Sequence, residues 1–523
     1  MSGKSNIRTV RRLLMGGGAL ALAGCATIDV EEPIAPAEIP GDWAAVSDAF
    51  APAGSRPVTE DWLEELSDPT VTPLVAEAIA YNNNLAASAA QVRAVLAQAR
   101  IQRASLLPQL SAGLNASSTR TPGGAFATTG PNGEIITGTA GPSSSDSYSL
   151  GFNASWELDL WGRLTDTTRA AYLDAEAQEL DFAAAALSIA GGTAQSFYLL
   201  TEARLQRELA ERDVEAGEAN LNIIERRYDR GISTSLDVRL ARASLAQSRA
   251  QLIAREQSER EAARQLEVLL GRYPAASVAV SDALPELRTL VSEDGGVVGL
   301  GGPEDLLFRR PDVLAAERQL QAAGLRVSAA RKALLPTLRL SGSADNRFDT
   351  ASNITFDPDD VVAQLIGSLV QPLFQGGRIR ASIAAQKAQM EAALHVYAQT
   401  VLEAYQEVED AVAAERLLSA QQAARRLAFE EAVAAEELTE RQYLSGTTNI
   451  FNLISAQQRR IANESQFIAA SRARLTNRIG LYLALGAPFT VPAALVSSDD
   501  PAALPVREDS FRIGLTGRGR DRS

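Results

Sequence analysis

Glu225-Arg226-Arg227-Tyr228-Asp229-Arg230-Gly231 returns, with its Glu, first Arg, Tyr and Gly in register, as Glu440-Arg441-Gln442-Tyr443-Leu444-Ser445-Gly446. The second copy lies 215 residues after the first (440 minus 225). The same offset joins Gly162-Arg163 to Gly377-Arg378, Ile253-Ala254 to Ile468-Ala469, Leu266 to Leu481, and Leu270-Gly271 to Leu485-Gly486. One register kept over more than a hundred residues means that no insertion or deletion separates the two copies there. A repeat of this kind settles the architecture before any single element is assigned.

Working outward, no proline occurs between Gly162 and Tyr273, or between Leu373 and Ala487. Each region breaks once, at Gly231 or Gly446, beside Ser and Thr residues suited to helix capping. The pattern predicts helices over 162–230 and 233–271 in the first copy, and over 377–445 and 448–486 in the second. The arms before the breaks would each span roughly 100 Å at 1.5 Å per residue. Helices of that length must pack on one another as coiled coils.

Upstream of each helical region the hydrophobic period falls to two. Tyr148, Leu150, Phe152, Ala154, Trp156 and Leu158 alternate with Ser147, Ser149, Gly151, Asn153, Ser155 and Glu157. Leu110, Ala112, Leu114 and Ala116 alternate in the same way with Ser111, Gly113, Asn115 and Ser117. These are strands with one apolar and one polar face. Strands are expected at about 109–118 and 147–158, joined by a Gly/Ser/Thr/Pro loop over 119–146. The second copy repeats the scheme: helix 311–335, a Leu334-Leu335-Pro336 stop that echoes Leu106-Leu107-Pro108, and strands at about 337–347 and 361–371. In the first copy a helix over 73–107 precedes the hairpin. Pro108 to Arg163 covers 55 residues and Pro336 to Arg378 covers 42, so the first outer hairpin is the longer. The chain therefore divides into repeat 1 (61–272), an inter-repeat linker (273–310), repeat 2 (311–487) and a flexible tail (488–523).

The N-terminus reads as an export signal over 1–24. Lys4, Arg8, Arg11 and Arg12 precede a short apolar run, Leu13 to Ala23, too short to span a bilayer. The run ends in Leu22-Ala23-Gly24-Cys25, which resembles the bacterial lipobox, and Cys25 is the sole cysteine. That resemblance implies lipidation of Cys25. Ala26 in place of an aspartate implies sorting to the outer membrane. The alternatives are an ordinary secretory peptide with an incidental cysteine, and twin-arginine export through Arg11-Arg12. Residues 25–60 form a Pro- and Ala-rich tether, with Trp43 and Trp62 as docking points.

Composition narrows the function. The net charge is −14, which argues against nucleic acid. One cysteine and one histidine exclude a Cys/His metal site and internal disulfides. His395 reads as a solvated or lumen-facing helix position. No cluster has catalytic spacing, so neither an enzyme nor a cofactor is expected. Gly16-Gly17-Gly18 and Val298-Gly299-Leu300-Gly301-Gly302 lack the Lys and Ser/Thr of a phosphate loop.

No segment after the signal reads as a membrane-spanning helix, so a membrane crossing would require a closed β-barrel. Each predicted strand offers roughly 9 to 12 residues, enough to cross when tilted. Four strands cannot close a barrel, so several chains must share one. Counting alone allows eight strands from a dimer or twelve from a trimer.

Taken together, the lipobox, the two repeats, Gly302-Pro303-Glu304-Asp305-Leu306-Leu307-x-Arg309-Arg310-Pro311-Asp312, Leu160-Trp161-Gly162-Arg163 and Leu373-Phe374-Gln375-Gly376-Gly377-Arg378 carry a resemblance. Over about residues 60–490 the chain resembles the TolC-like outer-membrane efflux proteins, in the lipoprotein branch of OprM and NodT type. The resemblance implies a fold that is mainly α with a membrane β-barrel: two tandem repeats of β-hairpin plus long helical hairpin, assembled as a homotrimer with a 12-stranded β-barrel and a 12-helix α-barrel. It implies a passive duct from the periplasm to the exterior, served by a periplasmic adaptor (membrane fusion) protein and an inner-membrane pump of RND type. It places the periplasmic gate at the hairpin turns, around Tyr228, Gly231 and Gly446, with Asp237, Tyr443, Asn452, Leu453 and Ser455 as candidates. By the same analogy Tyr443 would hydrogen-bond Asp237; the alternative is that Tyr228 and Tyr443 are packing anchors. Many relatives carry an aspartate ring where this chain has Asn452 and Ser455, so closure would rest on Leu453, Ile454 and hairpin packing. The rival reading is a periplasmic adaptor, a bridging lipoprotein with one helical hairpin.

Overall fold

In the computed structural model the described residues are Trp62, Leu63, Leu66, 68–287, 303–348 and 361–487. The signal segment, Cys25, Trp43, most of the tether and the tail lie outside them. The chain divides into two compact units. The first comprises 101–170 and 321–394 among the described residues; the second holds the remainder.

The first unit is built on an antiparallel sheet. Its strands are β1 (Gln109–Thr121), β4 (Ser143–Leu158), β5 (Thr337–Phe348) and β6 (Val362–Val370), in the spatial order β1-β4-β5-β6. Leu150 pairs with Leu114 and Asn346, and Leu338 with Leu158 and Leu369, so each pair shares a face. The apolar face is open: Leu110, Leu114, Leu365 and Leu369 are each at least 60% exposed. The strand ends that adjoin helices (Gln109, Leu158, Thr337 and Val370) all fall at one end of the ladder, and the hairpin loops at the other. On the polar face the carboxylate of Asp345 lies over Gly151, where a Cβ would come within 1.9 Å of its Oδ1.

The expected loop over 119–146 is instead largely sheet. β1 and β4 pair out to Thr121 and Ser143. Then β2 (Gly124–Thr129) and β3 (Ile135–Ala140) form a second, two-stranded ladder. The Thr- and Ile-containing flanks supply β propensity that the Gly/Ser-rich composition obscures. The turn between them closes through Gly133, at φ +81°, and a bond from Gly130 N to Glu134 O of 2.8 Å.

The second unit is helical. α1 (Val71–Tyr81) and α2 (Asn83–Ala104) replace the single helix expected over 73–107. Asn82 makes the break. Its backbone N–H donates to Ala78 O, its Oδ1 accepts from Asn84 N and Leu85 N, and its Nδ2 donates to Leu269 O at 2.9 Å. One side chain thus caps α2 and anchors it to the far end of the helical hairpin.

The long helices keep the repeat to the residue. α3 (Arg163–Asp229) and α7 (Arg378–Leu444) each have 67 residues; α4 (Ser235–Leu269) and α8 (Ile450–Ala484) each have 35. Every bound is shifted by 215 (378 minus 163, 450 minus 235). All four helices end in the same glycine stop. At the hairpin turns Gly231 N donates to Tyr228 O and Ile232 N to Arg227 O; Gly446 N donates to Tyr443 O and Thr447 N to Gln442 O. Gly271 and Gly486 close α4 and α8 with the same pair of bonds, and all four glycines have positive φ. This is the left-handed glycine cap that satisfies the last carbonyls of a helix.

Between the repeats, the expected linker (273–310) contains a helix, α5 (Pro303–Arg309), before α6 (Pro311–Lys332). Pro303 and Pro311 each sit at a first helical position, where the missing N–H costs nothing.

The main core joins Trp62, α1, α2, α3, α4 and α8, with Phe182, Phe197, Tyr198, Leu266 and Ile479 buried in it. By length and composition alone one described helix, α3, could cross a membrane. An 18-residue window of it reaches a mean hydropathy of 1.2. Over half of that window (56%) is buried, as befits a core helix.

Candidate functional site

Two regions stand out: the sheet with its open apolar face, and the paired turns of the helical hairpins.

At the turns a small core joins the two repeats. Ile224, Val238 and Ala241 of the first hairpin meet Tyr443, Ile450 and Leu453 of the second. Tyr443 is 5% exposed, whereas Tyr228, its counterpart, is 47% exposed. The guanidinium of Arg227 lies over the Tyr443 ring, 5.2 Å from its centre. Tyr443 is therefore a packing anchor with a cation against its face.

The expected bond from Tyr443 to Asp237 is absent among the described residues. Asp237 is engaged in its own turn instead. Its Oδ2 accepts from Thr234 N at 2.7 Å and from Thr234 Oγ1 at 2.9 Å, while Asp237 N donates back to Thr234 Oγ1. This reciprocal capping box starts α4. In α8 the cap is Asn449, whose Oδ1 accepts from Asn452 N at 3.1 Å. The Asn452 amide turns to Thr448 Oγ1 at 2.8 Å. Ser455 is half-buried, one turn further on.

Behind the turns, α3 and α8 run antiparallel and are laced by polar pairs. Asn220 Nδ2 donates to Gln457 Oε1 at 2.7 Å, Arg212 pairs with Glu464 at 2.5 Å, and Gln206 and Ser465 exchange two bonds. α7 and α8 share a buried triad in which Glu415 accepts from Arg474 Nε at 3.1 Å and Arg478 Nη2 at 2.6 Å. Buried charges of this kind persist only when paired, and removal of one partner strands the other.

The Arg309-Arg310-Pro311-Asp312 stretch acquires a structural role. Arg310, 8% exposed, donates to Asp312 at 3.0 and 2.6 Å, to Glu407 of α7 at 2.5 Å and to Ala484 O of α8. Burial pushes the Asp312 carboxyl up, and the adjacent Arg310 outweighs it and holds the carboxyl below its ordinary value. At the end of α4, Glu267 is fully buried and accepts from Ala276 N, Ser277 N and Ser277 Oγ within 3.0 Å. Burial raises its pKa, and these hydrogen bonds bring it below the ordinary glutamate value.

Among the described residues no group of three or more His, Cys, Asp or Glu could hold a metal ion. His395 is exposed on α7. Sequence reasoning singled out Tyr443, Asp237 and Leu453. It quoted Arg310 only as part of a motif and missed Arg227 and the Glu415 triad; only the helix register could have paired these across so many residues.

Residues 74–272 and 302–487 match the family model described as outer membrane efflux protein. The pyoverdine export outer membrane protein OpmQ of Pseudomonas aeruginosa is 30% identical over 91% of this chain and 97% of its own. The outer membrane protein OprJ of the same organism is 30% identical over 91% and 96%. Among solved structures, the CmeC outer membrane channel of Campylobacter jejuni superposes with a TM-score of 0.77 at 21% identity, covering 88% of this chain and 94% of that one. That likeness speaks to the fold.

Proposed function

This chain belongs to the outer membrane efflux protein family, and we propose that it is the passive exit duct of a tripartite pump, assembled as a homotrimer. The observation that carries the reading is the four-stranded sheet, with β1 and β6 as its edges and an open apolar face. In lipid every backbone N–H and C=O needs a partner, so such a sheet is stable only when its edges meet those of other copies. Three copies bring twelve strands and twelve long helices, a barrel wide enough for solutes. Cys25 carries the lipid that anchors the mature chain, with each buried methylene contributing about 0.8 kcal/mol. The domains follow the repeat: 61–272 and 311–487 are half-subunits of like construction, joined by 273–310.

The hairpin turns are the periplasmic gate. Tyr443 and Leu453 pack the two hairpins together through Arg227 and Ile224, while Asp237 closes the capping box of α4, Asn452 bonds Thr448 beside the Asn449 cap of α8, and Gly231 and Gly446 make the reversals. Tyr228 remains exposed at the tip and Ser455 half-buried one turn behind it, where a periplasmic adaptor would dock, and the energy comes from an inner-membrane pump of RND type. The adaptor reading fails on construction, since the chain has two helical hairpins and a sheet with a lipid-ready face.

The test is the mass of the detergent-solubilised protein together with its conductance in a planar bilayer. A trimer with discrete channel openings is expected. A monomer, or a protein soluble without detergent once its lipid is removed, would overturn the reading.

A further inference from the structure

At the helix-bearing end of the sheet, three guanidiniums and one carboxylate line a single recess. Glu157 and Arg339 are register partners on β4 and β5, with an N–O distance of 3.5 Å. Arg163, the first residue of α3, pairs with the same Glu157 at 2.5 Å. Arg378, the first residue of α7, donates to Gln375 Oε1 at 2.5 Å and has no carboxylate partner among the described residues. These four charged side chains, with Thr337 and Gln375, line a pocket of about 290 Å³. Three positive charges against one negative make this an electropositive patch on a chain whose net charge is −14. Arg339 is 66% exposed, so its donors reach solvent.

We propose that this pocket is a binding station for oxyanions: solutes bearing carboxylates or phosphates that pass along the polar face. The inference rests on the duct reading, which makes that face the lumen. Arginine suits the task because its planar fork of donors meets a carboxylate or phosphate in a bidentate pair. A recess lined by one sign of charge also concentrates ions of the other sign. Glu157 cannot neutralise the cluster; it orients Arg163 and Arg339 and leaves charge to spare. In a trimer the pocket recurs three times around the axis, so a multivalent anion meets several such patches on its way out. The same chemistry would also suit a phospholipid headgroup, if these arginines reached the bilayer surface instead.

The test is calorimetric titration of citrate into the full-length protein in nonionic detergent at low ionic strength, with the oligomeric mass measured on the same sample. Saturable binding is expected, weakening as salt is added. Arg339→Gln with Arg378→Gln should weaken it on the order of tenfold, or about 1.4 kcal/mol. Glu157→Gln should tighten it, an outcome that misfolding cannot mimic. A trimer that binds no citrate, or binds it equally well in the double variant, overturns the proposal while leaving the duct reading intact. A monomer overturns the duct reading instead. If the substitutions leave citrate binding alone but remove a thermal stabilisation specific to phosphatidylglycerol over phosphatidylcholine nanodiscs, the arginines serve headgroups and the lumenal station is wrong.

Discussion

Asp237 and Asn452 are the same residue of the repeat, each the third of its helix, yet only Asp237 closes a reciprocal capping box. The Asp237 carboxylate accepts from the backbone and side chain of Thr234; the Asn452 amide instead donates to Thr448 Oγ1. The carboxylate also sits where it favours the positive end of the α4 dipole. The two tips are thus built to one plan and held with different strength.

It follows that the second hairpin should fray first. Thr234→Ala should cost about 1 kcal/mol at the start of α4. Asn452→Asp should move α8 the other way, by a few tenths to about 1 kcal/mol. Hydrogen exchange of the tip peptides reads both changes directly: faster exchange near Ser235 in the first variant, slower near Phe451 in the second.

Gate closure should depend on the ring of Tyr443 and hardly at all on its hydroxyl. Tyr443→Phe keeps the packing and the Arg227 contact, so its baseline conductance in a planar bilayer should match the parent. Tyr443→Ala empties a buried aromatic site, at about 3–5 kcal/mol, and should raise the leak. Arg227→Ala should raise it less, since a cation–π contact contributes about 0.5–2 kcal/mol. A leak in Tyr443→Phe as large as in Tyr443→Ala would restore the hydroxyl to the mechanism.

Gly231 and Gly271 share nearly the same backbone, φ +69° and +68°, but not the same surroundings. A Cβ on Gly231 meets nothing within 4 Å; one on Gly271 would lie 2.4 Å from the carbonyl oxygen of Tyr81. Alanine at either site incurs the left-handed strain of about 1–2 kcal/mol. At Gly271 it must also displace the backbone between α1 and α2. Thermal unfolding should show Gly271→Ala losing several degrees more than Gly231→Ala.

Glu267 should make stability depend on pH in the acid range. Its folded pKa is depressed below the unfolded value, because three hydrogen bonds from 276–277 favour the carboxylate despite burial. Its contribution is therefore complete above the unfolded pKa, roughly 4.3, and is lost as pH falls through the folded one. Glu267→Gln should be clearly less stable than the parent at pH 7, and the gap should narrow as pH falls below about 4. A gap independent of pH would mean that the hydrogen bonds do not depend on the charge.

The repeat was legible because it is written in residue identity. Gly231, Gly271, Gly446 and Gly486 mark helix ends that only a residue tolerant of positive φ can make. Strand faces were legible by alternation, except in 119–146, where Gly and Ser mask a second ladder. The Asn82 break was not legible. Asparagine inside a helical pattern is unremarkable until its amide finds Leu269 O, 187 residues away. At the tip the sequence pointed to Tyr443 and Asp237, but not to Thr234 as the group that the Asp237 carboxylate engages. A carboxylate three residues after a threonine has a local partner that competes with any distant one.

By itself, then, the sequence determined the repeat, the order of strand and helix, the faces of the strands and the positions of the stops. These depend on short-range periodicity and on the conformational limits of single residues. The tertiary structure alone decided which side chains meet: Arg227 on Tyr443, Arg310 between Asp312 and Glu407, Glu415 between two arginines, and Glu157 between Arg163 and Arg339. Such pairings depend on the register of helices 35 to 67 residues long and on strand ladders that join the two repeats. In a helix, one residue of slip turns a side chain by about 100°, so partners so distant in the chain are set only when the whole bundle has packed.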